Sequence, residues 1–251
     1  MELLQFLTTN MQVVILCGGK ATRLNSLIGK TPKMLAKFDD KLFFDYICDF
    51  LFIFPTIHKI TLLTGVGSEE IEKYISKKYF EPKMQIEIYK DNLFGQGTSR
   101  ALHQALDGGV LDKEFLLMYG DSLPDLDLSE FIKQAVASKA NIFFSYIDKK
   151  FVEEECRIQE TAGRVYYYSD ITAVKSASDF NFFIDYGVYY VSMNEDLRNL
   201  ISIESDLKEV LGKFSNNSVC FGYEASKPFI EMGNPISFAS ASDKLRMRFS
   251  K

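Results

Sequence analysis

Residues 13–24 run Val-Val-Ile-Leu-Cys-Gly-Gly-Lys-Ala-Thr-Arg-Leu, an apolar stretch ending in two glycines, then a threonine, an arginine and the start of a helical pattern. Residues of these types in this order suit a phosphate. Glycines at a strand end let the backbone approach a ligand without interference from a Cβ, and the amides that open the next helix draw an anion. The charges are arranged in the same sense. From Leu3 to Phe38 there is no Asp or Glu, but there are Lys20, Arg23, Lys30, Lys33 and Lys37. The whole chain carries −5, so these five cations leave −10 on everything else. A focused basic loop on an acidic protein fits a small polyanion, and not a nucleic-acid backbone, which needs an extended basic surface.

The loop by itself does not separate a phosphate site from an ordinary strand-to-helix turn. It has no G-x-x-x-x-G-K-[ST], and Gly18-Gly19-Lys20-Ala21-Thr22-Arg23 lacks the third glycine of a dinucleotide turn. Gly65-Val66-Gly67 also follows an apolar run and reads as a turn. More specific is the succession of short motifs after the first loop. Thr31-Pro32-Lys33-Met34-Leu35 is followed by Phe94-Gly95-Gln96-Gly97-Thr98-Ser99, by Tyr119-Gly120-Asp121-Ser122, and near the end by Phe229-Ile230-Glu231-Met232-Gly233-Asn234-Pro235. In that order they resemble the nucleotidyltransferases that join a nucleoside triphosphate to a sugar 1-phosphate, whose signatures run GGxxTRL, PKxL, GT, GDS or GDT, and [FW]IDIGTP. The resemblance covers nearly all of Met11–Leu245.

That resemblance implies roles residue by residue. Cys17, Gly18, Gly19 and Thr22 would meet the nucleotide, Arg23 would hold the β- and γ-phosphates, and Lys33 would steady the α-phosphate under attack. An arginine fork suits paired phosphate oxygens, and a lysine serves as a compact point charge. Gln96, Gly97 and Thr98 would lie over the base, with Gln96 able to give both a donor and an acceptor to its edge. Gln96 stands where leucine is frequent in the family, which leaves the base open. Asp121 and Glu231 would hold Mg²⁺, although the family usually has Asp at the position of Glu231, one methylene shorter. Ala21 replaces a more usual glycine. Towards the sugar phosphate, Lys175 lies twelve residues before Gly187, near the family spacing, with Asp185 alongside. The surrounding Glu-Lys-Pro is absent. Within the family, the Gly-Asp-Ser spelling, the following Asp125-Leu126-Asp127-Leu128 and the closing Glu-Met-Gly-Asn-Pro most resemble D-glycero-D-manno-heptose 1-phosphate and mannose-type guanylyltransferases. Cytidylyl, thymidylyl and uridylyl relatives share the scaffold.

The implied fold is a single α/β domain, Rossmann-like and three-layered, with a mixed central sheet. Alternating apolar runs and helical patterns agree. Strands are expected at 13–17, 59–63, 85–89, 115–119 and 142–146, with helices near 43–51, 68–77, 99–106 and 128–138. From about Glu153 the pattern changes to strands at 156–159, 164–168, 183–191 and 218–221, expected to be antiparallel, with helices at 195–200 and 206–213. We therefore expect an extension at residues 1–10 and one domain at 11–251, its nucleotide half at 11–150 and its sugar-phosphate half at 151–251.

The 251 residues, 47% hydrophobic, suffice for one substantial core. Cys17, Cys48, Cys156 and Cys220 are scattered, which suits reduced thiols in a cytoplasmic protein. His58 and His103 offer little for a histidine metal cluster or a Ser-His-Asp triad. No apolar stretch is long enough to span a membrane. The partners implied are an NTP and a sugar 1-phosphate, with neither nucleic acid nor membrane, and self-association is left open. Two other classes stay in view: a glycosyltransferase using Asp125-Leu126-Asp127 as a metal-binding D-x-D, and a non-catalytic nucleotide-binding regulator signalled by Ala21 and Glu231.

Overall fold

The computed structural model of the chain describes residues 10–19, 22–65, 67–79, 85–90, 97–152, 154–172 and 181–249. It divides into two compact units woven from distant segments. Unit 1 takes Met1–Gly95, Met118–Pro124 and Phe229–Lys251, and unit 2 takes Gln96–Leu117 and Asp125–Pro228.

Unit 1 starts with β1 (Met11–Leu16), every residue of which is buried. A parallel strand covered on both faces reads as a continuous apolar run, and this one does. Its single polar residue, Gln12, is satisfied by donating to the Thr61 hydroxyl at 2.7 Å. After the short antiparallel pair β2 (Lys37–Phe38) and β3 (Lys41–Leu42) come α1 (Phe43–Leu51), β4 (Ile57–Thr64), α2 (Ser68–Lys78) and β5 (Gln85–Lys90). β4 pairs in parallel with β1, Leu16 opposite Leu63, and with β5, Leu63 opposite Tyr89. Parallel pairing brings the carboxyl ends of adjacent strands to one edge, where such sheets bind ligands.

Unit 2 starts with α3 (Thr98–Asp107) and the first residues of β6 (Glu114–Tyr119); Met118 and Tyr119 belong to unit 1 together with β7 (Ser122–Leu123). Then follow α4 (Leu128–Ser138), β8 (Ile142–Asp148), β9 (Cys156–Thr161), β10 (Arg164–Tyr167), β11 (Phe182–Ser192), α5 (Glu195–Ile203), α6 (Leu207–Asn217) and β12 (Phe221–Ala225). β9 and β10 form an antiparallel hairpin whose turn residues Ala162 and Gly163 both have positive φ, the twist-matched connection for two strands. β11 runs antiparallel to both β9 and β8. The chain then returns to unit 1 as β13 (Ile230–Glu231) and α7 (Pro235–Phe249).

Strand pairing is mixed, as the α/β class requires. Two expectations need correction. β12 begins at Phe221, three residues after the anticipated Ser218, because α6 runs on to Asn217 and the Ser218 amide still bonds back to Phe214. β12 also lies parallel to β8, so this part of the sheet is not wholly antiparallel. α7 was not expected. Only Ala241 and Leu245 are buried along it, which leaves no apolar stripe to read. Its start is nonetheless encoded: the Asn234 side chain accepts from the amides of Ile236 and Ser237, with Pro235 following it.

The apolar core of α1 holds one acid. Asp45 accepts from the Leu42 amide at 3.0 Å, from the hydroxyls of Tyr74 and Tyr79 at 2.7 Å, and from Lys78 Nζ at 2.7 Å. Burial alone would raise its pKa, but these donors more than compensate and hold the carboxyl below the usual carboxylate range. A depressed carboxylate stabilises the fold above its unfolded pKa, about 3.9, and loses that contribution as pH falls through the folded value. Asp45→Asn is therefore expected to cost about 2 kcal/mol at neutral pH. Urea unfolding at pH 7 and at about pH 3 checks this, since the gap between variant and parent should shrink on acidification.

Candidate active site

The site is built at the carboxyl ends of β1 and β4 by backbone packed on backbone. Beyond β1, the Cys17 amide donates to Leu63 O at 3.0 Å, and its thiol points to the same carbonyl at 3.3 Å and to Ile15 O at 3.6 Å. Burial pushes the thiol well above its usual range, so Cys17 is a neutral part of the floor and no nucleophile. A Cβ on Gly18 would stand 3.1 Å from Gly65 N, and one on Gly65 would stand 3.0 Å from Gly18 O. Gly120, whose amide bonds Leu16 O at 2.9 Å, would place a Cβ 3.0 Å from Cys17 Cβ. Three chain segments thus meet where a Cβ would be tightly crowded. Gly19 differs, with nothing within 4 Å of the position its Cβ would take.

Lys20 and Ala21 lie outside the described residues. Beyond them Thr22–Leu24 forms a single 3-10 turn, continued only by Asn25–Ile28. Leu24 is fully buried and pins the turn, while Thr22 and Arg23 are exposed. So short an element carries little macrodipole, which leaves the cationic side chains as the main source of positive potential.

Lys33 is held by a second glycine turn. Gly67 has φ +83°, a conformation that suits glycine, and the place of its absent Cβ is filled by the Pro32 ring. From Pro32 the chain makes a 3-10 turn, Lys33–Leu35, with Met34 and Leu35 buried beneath it. This leaves Lys33 as the outward member, its Nζ 2.8 Å from Asp121 Oδ2, with side-chain exposures of 22% and 33%. An ion pair this open to water is worth about 1 kcal/mol and exchanges partners at little cost.

Asp121 follows β6 and Gly120, and its carbonyl accepts from the Met232 amide at 3.0 Å. The next residue, Ser122, pairs with Glu231 in the two-stranded β7–β13 ladder, Leu123 with Ile230. Glu231 is thereby placed one register position from Asp121, although 110 positions separate them in sequence. Its Oε2 lies over Gly233, 2.8 Å from where a Cβ would stand. Cys17, Gly18, Gly19, Thr22, Arg23, Lys33, Asp121 and Glu231 all belong to unit 1.

The other expected site residues belong to unit 2. Gly97, φ +108°, leads into α3 where a side chain would strike the Ser205 carbonyl. The Thr98 hydroxyl accepts from the Leu207 amide at 2.9 Å, so it ties α3 to the start of α6. Asp185 accepts from the Gly187 amide at 3.0 Å and the Tyr189 hydroxyl at 2.5 Å, holding a bulge in β11 where Gly187 has φ +78°. Burial raises its pKa, partly offset by those bonds. Gln96 and Lys175 lie outside the described residues. Asp127 caps α4 through the amides of Ser129 and Glu130, a structural task that accounts for the second acid of Asp125-Leu126-Asp127. Gly65 and Gly67, read in the sequence only as a turn, are the scaffold residues that sequence reasoning missed.

Comparison with known proteins decides the family. The nucleotidyl transferase family matches residues 12–156. The chain belongs to that family. D-glycero-alpha-D-manno-heptose 1-phosphate guanylyltransferase of Aneurinibacillus thermoaerophilus is 26% identical over 242 residues, 94% of this chain and 99% of that protein. The Campylobacter jejuni protein of the same name is 33% identical over 120 residues, 48% of this chain and 52% of the other. Among solved structures, HddC from Yersinia pseudotuberculosis complexed with GMP-PN shares the fold, with a TM-score of 0.73 and 21% identity over 94% of this chain and 99% of that one. No described helix of this nucleotidyltransferase is long and apolar enough to cross a membrane.

The glycine contacts generate opposite expectations for two alanine substitutions. Gly19→Ala meets open space and should leave stability within about 0.5 kcal/mol of the parent. Gly67→Ala combines positive φ with the Pro32 ring and should cost about 2 kcal/mol or more. Denaturant midpoints measured side by side check both, and equal midpoints would remove the assignment of Gly67 as the support of Pro32-Lys33.

Proposed function

We propose that this nucleotidyltransferase moves a guanylyl group from GTP to a heptose- or mannose-type sugar 1-phosphate. An oxygen of the sugar phosphate attacks the α-phosphorus in line, a new P–O bond forms, the bond to the β-phosphate bridging oxygen breaks, and pyrophosphate leaves. The observation that supports this reading is the Lys33–Asp121 contact, with Glu231 one register position along on the partner strand, in a chain whose curated relatives include heptose 1-phosphate guanylyltransferases. A cytoplasmic setting belongs to the same reading, supported by four unpaired cysteines.

The chain's own groups divide the work. Gly18 and Gly19 give the nucleotide access to backbone, and Arg23, on an exposed turn, engages the β- and γ-phosphates. Lys33 leaves its carboxylate partner for the α-phosphate, where negative charge accumulates in the transition state. Asp121 and Glu231 suit Mg²⁺: both offer hard carboxylate oxygens, one from the residue before β7 and one from β13 beside it, and two such ligands would leave places for water and phosphate. When bound, the ion neutralises phosphate charge beside the leaving group. Asp121 thus exchanges one cation for another, and the partial access of water to the ion pair lowers the cost of that exchange.

Release of pyrophosphate from the four NTPs, each tested with several sugar 1-phosphates, checks the reading. GTP with D-glycero-α-D-manno-heptose 1-phosphate should be the most active combination. A preference for CTP or UTP would move the activity to another branch of the family, and no release with any pair would favour a regulator.

Lys33→Ala should lower turnover about a hundredfold, the usual effect of losing one transition-state donor, and a change within roughly twofold would remove its role. Arg23→Ala should mainly raise the KM for the triphosphate. Titrating Mg²⁺ against turnover, Glu231→Gln should be severely impaired and Glu231→Asp should keep part of the activity; a Glu231→Gln variant that matches the parent at limiting Mg²⁺ would exclude Glu231 from the metal.

A further inference from the structure

Of the carboxylates assigned to the metal, Glu231 stands on a ladder of only two residues against two, and Asp121 immediately precedes its other strand. Such a ladder has little cohesion of its own. Both of its strands connect directly to unit 2: β7 through Pro124 into Asp125, and β13 back through Phe229 from Pro228. At those points, within unit 2, one side chain ties the two connections together. The Tyr186 hydroxyl accepts from the Asp125 amide at 2.8 Å and donates to the Lys227 carbonyl at 3.0 Å. Asp125 lies two residues after β7 and Lys227 three residues before β13.

Tyr186 is built for this task. It is 2% exposed, so its ring is fixed by the core, and it sits in the β11 bulge between Asp185 and Tyr189, where the register with β8 shifts. Bulges re-aim side chains that a regular strand would send elsewhere. Gly187 supplies the positive φ and the Asp185 carboxylate closes the turn onto the Gly187 amide. A Lys227–Asp125 ion pair spans the same point at 3.8 Å, exposed and weaker.

We propose that Tyr186 is a positioning residue for the metal site: by joining Asp125 to Lys227 it acts as an added rung beyond β7–β13 and so fixes the register that sets Glu231 beside Asp121. This rests on the assignment of those two carboxylates to the metal. Tyr186 touches neither of them and works through the chain.

The test uses the full-length protein and Tyr186→Phe, which keeps the ring and removes only the hydroxyl. Ser215→Ala is the control. Ser215 also accepts from a backbone amide, Tyr167, and donates to a carbonyl, Gly212, inside unit 2 but away from the connections. Hydrogen exchange of the Met232 amide, which bonds Asp121 O, should be roughly tenfold faster in Tyr186→Phe and unchanged in Ser215→Ala. Mn²⁺ binding in the presence of a non-hydrolysable GTP analogue, followed by water proton relaxation, should weaken several-fold in Tyr186→Phe alone. Unchanged Met232 exchange overturns the proposal, and so does faster exchange with Mn²⁺ affinity intact. A failure of the underlying metal assignment reads out separately, as Asp121→Asn binding Mn²⁺ as tightly as the parent.

Discussion

Close approach of backbone to backbone at the ends of β1 and β4 is the constraint on which the rest of the site depends. Gly18 against Gly65, and Gly120 against Cys17 and Leu16, leave a Cβ at any of the three glycines tightly crowded, at 3.0–3.1 Å from its nearest neighbour. Parallel pairing of β1 and β4 delivers the first two to the same edge, and the bond from Gly120 to Leu16 delivers the third. With that floor set, the residues that follow each glycine have fixed starting points. Gly67, two residues after Gly65, receives Pro32, and Asp121 directly follows Gly120, so Lys33 and Asp121 come within 2.8 Å across 88 positions of sequence.

In the proposed reading the ion pair so formed is balanced for exchange. A fully buried pair would resist opening, because each charge would be stranded without water, whereas this one is partly open to water. In the proposed reading it keeps both groups in place while the site waits for ligands. Triphosphate then satisfies the lysine and a metal ion satisfies the carboxylate. Glu231 enters from the far end of the chain, and its carboxylate lies over Gly233, where a Cβ would crowd it.

Much of this was legible in the sequence because strong local signals coincide with the site. The apolar run of β1, the paired glycines, the acid-free basic segment and the separate Pro-Lys and Gly-Asp motifs could each be read locally, and the helices at 43–51 and 128–138 fall where their apolar periods put them. What could not be read were tertiary coincidences. Nothing near Gly65 or Gly67 announces that their neighbours are Gly18 and Pro32, and a two-residue ladder such as β7–β13 has no period to detect. α7 escaped because its burial is confined to two positions, so the Asn-Pro start signal stood without an apolar stripe. Thr98 and Asp185 show the converse: side chains in family motifs are also bound to their own unit, where they hold turns.

The proposed chemistry turns on the Lys33–Asp121 exchange. A structure of the protein with Mg²⁺ and a non-hydrolysable GTP analogue tests it most directly. The prediction is that Lys33 Nζ has left Asp121 for an α-phosphate oxygen and that Asp121 and Glu231 both coordinate the ion. A nucleotide bound with the 2.8 Å pair intact, or seated away from the Gly18–Gly19 turn, would contradict it.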